Sequence, residues 1–169
     1  MTCLTVSSAA SIVRLTRVAA VLALVLSPAL AGAQAGAPAK EQIQRGRYLV
    51  KIAGCNDCHT PGYIAKNGEV DEKLWLTGDR LGWSGPWGTT YAANLREFMA
   101  AMSEQQWVKH ARGMTPRPPM PWFNVRAMTD ADLKAIHAYT RSLGPGGEPA
   151  PKFVPPGTKP AGPLVQFPG

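Results

Sequence analysis

The chain has 169 residues with 18 basic and 11 acidic side chains, a net charge of +7, and 45% hydrophobic residues. That length suits one domain rather than several. The basic residues are scattered singly, without the dense stripe that a nucleic-acid surface would need, and three cysteines are too few for a disulfide-stapled scaffold.

Arg14 and Arg17 precede the apolar run "VAAVLALVLSPALA", which leads to small residues and an Ala33-Gln34-Ala35 box. This order describes a secretory signal peptide over residues 1–35. The run from Val18 to Leu26 is broken by Ser27-Pro28 and falls short of the roughly 20 residues that span a bilayer. Cleavage after Ala35 is therefore expected in place of a retained anchor, and the destination is the periplasm. It leaves 134 residues, 16 basic against 11 acidic side chains, and only Cys55 and Cys58, since Cys3 departs with the leader. A balance of +5 favours encounter with an acidic partner.

In "EQIQRGRYLVKIA", Ile43, Gly46, Leu49, Val50 and Ala53 share one helical face. Gly46 costs such a helix up to about 1 kcal/mol against alanine, a cost that makes sense where a second helix passes close. Residues 60–93 read as loop, punctuated by glycine and proline, with Trp75, Trp83 and Trp87 expected to cover something apolar. Three helices then follow, each with a start signal. Asn94 caps "NLREFMAAM", with Glu97 three residues on. Ser103 and Gln106 open "SEQQWVKHARG", which Gly113 stops. Thr129 and Asp132 open a last helix through Leu133, Ile136, Tyr139 and Leu143, ended by Gly144 and Pro145. Between the last two lies "TPRPPMPWF". Residues 146–169 form a Pro/Gly-rich tail, unable to make a helix or an inner strand. Its Phe153, Val154, Leu164, Val165 and Phe167 are expected to dock in part on the domain of residues 36–145.

The motif "CNDCH" at residues 55–59 carries the chemistry. A redox dithiol would sit after a strand in a βαβ unit, but a helix precedes this one. A structural zinc needs four ligands, commonly a second Cys or His pair at similar spacing, but beyond His59 only His110 and His137 exist, far apart on different predicted helices. The remaining reading is covalent attachment of one c-type haem. Thiols at this spacing reach the two vinyl groups on one porphyrin edge, and the next residue, His59, falls beneath the iron as proximal ligand.

What fills the sixth iron position decides between electron transfer and ligand binding. Met99, Met102 and Met128 read as core residues, and His110 and His137 as helix residues with a minor claim. Met120 stands between Pro118-Pro119 and Pro121, whose fixed φ angles predict a stiff, extended segment that places a ligand at low entropic cost. Met114 ranks second.

The stretches "RGRYLVKIAGCNDCHTPG", "GPWGTTYAANL", "PPMPWF" and "MTDADLKAIHAYTRSLG" together resemble the class I c-type cytochromes, most closely the single-haem modules of bacterial dehydrogenase subunits. The resemblance covers about residues 40–145. It implies an all-α fold of four to five helices around one haem, with long loops. It makes Cys55 and Cys58 the thioether residues, His59 and Met120 the axial ligands, and Trp87 a contact of a propionate or of the haem edge. Gly46 and Tyr139 would mark the crossing of the first and last helices. The implied function is transfer of single electrons from a dehydrogenase or reductase to an oxidase or another cytochrome. Nucleic acid and a permanent membrane span are not expected; peripheral docking is. Most dehydrogenase subunits carry several haem motifs and an anchor, so a shuttle fits this chain better than a built-in subunit. Two rivals stand beside it: a haem enzyme with a labile or absent sixth ligand, and a ligand-binding sensor or bound subunit with the tail as its docking element.

Overall fold

The first helix, α1 (Lys40–Ile52), crosses the last, α6 (Asp130–Ser142), at Gly46. A Cβ on Gly46 would lie 1.9 Å from the Ala135 carbonyl oxygen and 2.7 Å from Tyr139 Cβ, so no other residue fits there. The mid-helix glycine is offset by this close approach, which lets Leu49, Val50, Leu133, Ile136 and Tyr139 bury together. Each such aliphatic side chain contributes about 1.5–3 kcal/mol when fully buried. Ala53, expected on the same face, is exposed because α1 ends before it. The computed structural model describes residues 39–168; the export signal read in residues 1–35 lies outside them.

Between the crossing helices run α2 (Cys55–His59), α3 (Leu95–Ala100), α4 (Glu104–Gly113) and α5 (Trp122–Ala127). The caps that the sequence suggests form at α3, α4 and α6. Asn94 accepts from the Arg96 and Glu97 N–H groups, and Ser103 and Gln106 form a full capping box. Thr129 accepts from the Asp132 N–H. The Asp132 carboxylate, however, takes the Thr129 hydroxyl and Arg45, not the Thr129 backbone. Gly144 ends α6 in the left-handed conformation with φ +70°. Trp107 of α4 packs in the core and donates its indole N–H to the Leu133 carbonyl at 2.8 Å.

Trp75 departs from its expected role as loop cover. It is a core residue, edge-on to both Tyr63 and Tyr139. Buried Arg96 draws the neighbouring loop to the end of α6 by donating to the carbonyls of Glu72, Lys73, Trp75 and Leu143.

The all-α expectation needs correction as well. Among the described residues the domain has six helices and a small sheet of order β2-β1-β3. Strands β1 (Gly82–Gly85) and β2 (Gly88–Tyr91) form an antiparallel hairpin, turned at Pro86-Trp87. From the tail, β3 (Leu164–Gln166) pairs parallel with β1 as an edge strand. Val154 of the tail bridges Thr89. A Pro-rich segment is excluded from a sheet interior but not from an edge. The segment before Met120 also differs from expectation. Residues 118–119 form a turn with a cis Pro118–Pro119 peptide instead of running extended.

Candidate functional site

Gly54, with φ +71°, turns the chain out of α1 and starts α2. One short helix then carries Cys55, Cys58 and His59. Thiols three residues apart lie on neighbouring positions of one helical face. Both are free. Burial pushes the Cys55 thiol up to about 11. Cys58 moves the same way through burial and then through the nearby Asp57 and Asp79 carboxylates. Reactive dithiols depend on a lowered pKa, and both thiols move the other way.

His59 is buried, and its desolvation disfavours the charged imidazolium. Its Nδ1 stands 2.8 Å from the Ala93 carbonyl oxygen. A carbonyl can only accept, so the proton sits on Nδ1, and Nε2 keeps a free lone pair. Neutral imidazole with one nitrogen anchored and the other open is the form that binds metals.

The base of the β1–β2 hairpin is tied to the same residue. The Gly78 N–H donates to the His59 carbonyl at 2.9 Å, and the Asp79 N–H donates to Ala92 at 3.1 Å. Thr60 locks α2 from the other side, donating to Asn56 Oδ1 and accepting from the Leu76 N–H.

Three buried donors among the described residues lack partners: Asn56 Nδ2, Trp83 Nε1 and Trp87 Nε1. An orphaned buried donor costs about 1–3 kcal/mol, so native folds supply an acceptor. Two of the three indoles or amides sit on the hairpin, and the third sits inside the Cys55–His59 helix. A large apolar group bearing carboxylates fits that requirement, and a haem with its propionates is such a group. Trp87 folds back over Gly85, where a Cβ would come within 2.5 Å of its ring.

Met120 is half-buried just before α5. Its carbonyl accepts from the Trp122 N–H at 2.9 Å, and Thr90 of β2 donates to the Pro118 carbonyl at 2.6 Å. The Met114 carbonyl accepts from Arg126. Met99 is buried in the core, Met102 and Met128 pack at its margin, and His137 sits 3.1 Å from the Met102 carbonyl. His110 is exposed, beside Phe98 and Trp107.

Trp83 is the residue that the sequence reading passed over as a site member. Its spacing from Trp87 around a Gly-Pro turn was the available signal. Arg126 offered none, because its partners are backbone carbonyls.

Two thiols and an open, neutral imidazole on one helical turn, in a small helical domain with unpaired buried donors, define the donor set of a c-type haem protein. The family model for cytochrome c matches residues 43–144, well over half of the chain. The chain belongs to the cytochrome c family, whose members are electron-transfer haem proteins. Searches of curated proteins and of solved structures gave no match. Among the described residues no helix is long and apolar enough to cross a membrane.

Proposed function

We propose that this chain is a periplasmic mono-haem cytochrome c that carries single electrons between a dehydrogenase or reductase and a terminal acceptor, such as an oxidase or another cytochrome. The orientation of His59, with Nδ1 held by the Ala93 carbonyl beside both cysteines, carries the reading. When bound, haem c supplies a one-electron Fe(III)/Fe(II) couple. Cys55 and Cys58 would hold it through thioether bonds, each S–H adding across a vinyl double bond with no oxidant needed. His59, through Nε2, and Met120, through its sulfur, would ligate the iron. The unpaired indole N–H groups of Trp83 and Trp87 would donate to the propionates.

The periplasmic assignment rests on the signal read in residues 1–35. Neither partner is identified by the chain's own chemistry beyond a net positive charge that suits an acidic face. Visible spectroscopy of the oxidised and reduced holoprotein, beside Met120→Ala, tests the ligand set. A weak far-red sulfur-to-iron charge-transfer band in the wild type, missing from the variant, is the expected result. Survival of the band in Met120→Ala would transfer the role to Met114. Its absence from both, with rapid cyanide binding by untreated protein, would replace the shuttle by a haem enzyme or sensor.

A further inference from the structure

Beyond the local bonds from the Trp122 and Asn124 N–H groups to the Met120 and Pro121 carbonyls, the segment that carries Met120 has little backbone bonding to secure it. Four of the seven residues from 115 to 121 are prolines, which have no N–H to donate. The N–H groups of Thr115, Arg117 and Met120 donate to no backbone carbonyl among the described residues. Side chains from elsewhere hold the stretch instead. Arg126 donates to the Met114 carbonyl at 3.0 and 2.6 Å and to Thr115 Oγ1 at 2.8 Å, which fixes the start. Thr90 holds the Pro118 carbonyl.

The remaining contact comes from the tail. The guanidinium carbon of exposed Arg117 lies 3.9 Å from the ring centroid of Phe153, within cation–π range. Phe153 is itself well anchored. Its neighbour Val154 exchanges backbone hydrogen bonds of 2.8 and 3.0 Å with Thr89. Gly88 makes room for both: a Cβ there would stand 2.4 Å from the Val154 carbonyl oxygen and 3.0 Å from the Phe153 ring. Tail, hairpin and Met120 segment thus form one connected unit, closed by Arg117 on Phe153.

We propose that Phe153 and Arg117 are positioning residues for the sixth iron ligand, the tail strapping residues 117–120 onto β2 and so setting how readily Met120 leaves the iron. The inference rests on Met120 being that ligand. A free tail that served only to dock on a partner would leave ligand exchange untouched by either residue.

The test is the rate of cyanide binding to the oxidised full-length holoprotein, with the far-red band recorded alongside. Arg117→Gln alters an exposed side chain with little risk to folding; Phe153→Leu keeps apolar bulk but removes the π face. Each is expected to bind cyanide about twofold to fivefold faster than wild type, the range that an exposed cation–π contact supplies. Phe153→Tyr should keep the wild-type rate. The double variant should be no faster than the quicker single, because both changes break one contact. A wild-type rate in Arg117→Gln, or single effects that multiply in the double variant, would overturn the strap while leaving Met120 as ligand. A band that is absent from wild type or survives in Met120→Ala would overturn the ligand assignment and the strap together.

Discussion

The α1–α6 crossing and the hairpin–tail unit both adjoin the haem motif and are built by opposite means. At the crossing, backbone meets backbone at Gly46, and the surrounding side chains are buried and mutually supporting. A polar network reinforces it: Tyr139 donates to Glu72 at 2.6 Å, Glu72 receives both Nε and Nη2 of Arg47, and Arg96 gathers the loop carbonyls. The hairpin–tail unit consists of strands of three or four residues joined by short ladders and by half-buried aromatic contacts. The first region is redundant, so its parts fail together. The second depends on single contacts, so its parts can loosen separately. The proposed proximal ligand, on α2 directly after α1, is held both by that helix and by the base of the hairpin at Gly78 and Ala93, whereas the proposed distal ligand is fastened through Thr90 and the tail. Such a division would let the distal side be tuned without cost to the fold.

The sharpest way to break the comparison is Gly46→Ala. The added methyl group would overlap the Ala135 carbonyl oxygen, and backbone cannot swing aside as a flexible side chain can. The helices must separate, which costs at least about 3 kcal/mol as severe overpacking does. Thermal unfolding of the holoprotein should show a large fall in midpoint, the same by far-UV and near-UV circular dichroism. A small fall, or one confined to the near-UV signal, would mean that the crossing is not the redundant region described.

The two regions also differ in how far they are legible in the sequence. At the crossing, the apolar spacing, the odd glycine and the caps at Asn94, Ser103 and Thr129 are local signals, and each specifies its element without knowledge of the rest. The same is true of Cys55, Cys58 and His59. In the sequence the hairpin looks like loop, because "GWSG" and "GTTY" are too short and too poor in apolar residues to show alternation. The β3 pairing joins residues about 80 positions apart in parallel, and nothing local encodes that. The Ala93 carbonyl, which fixes the His59 tautomer, is a backbone atom and leaves no mark in residue identity. Trp75 became a core residue because Tyr63 and Tyr139 meet it from distant parts of the chain.

A middle-sized effect is expected from the polar network. The bidentate Arg47 hydrogen bond, chiefly, and the Tyr139 hydroxyl hold the Glu72 carboxyl below the usual carboxylate range, against the opposing effect of partial burial. A folded pKa below the unfolded value of about 4.3 means that the contribution is complete above that value. It is lost as pH falls through the folded pKa. The holoprotein's midpoint should therefore drop between pH 5 and more acidic solution, and Glu72→Gln should start lower at pH 7 but decline less on acidification. Tyr139→Phe removes one hydrogen bond to a charged group, worth about 1.5–3 kcal/mol. Parallel pH curves for wild type and Glu72→Gln would show that the network does not couple to stability.

The smallest global effect should come from Phe167→Ala, and it tests the independence of the second region most directly. The ring lies 6.0 Å from that of Trp83 and 5.4 Å from that of Trp87, tilted against both. Its N–H donates to the Ser84 carbonyl at 2.8 Å, a bond that alanine retains. Loss of the ring forfeits aromatic contacts worth about 1 kcal/mol, but these stabilise the hairpin face and not the helical crossing. The far-UV midpoint should move by no more than that amount suggests, while the near-UV indole signal weakens and melts earlier. Coincident melting at both wavelengths would mean that the hairpin and the crossing unfold as one, and the division of labour between the two sides of the motif would have to be given up.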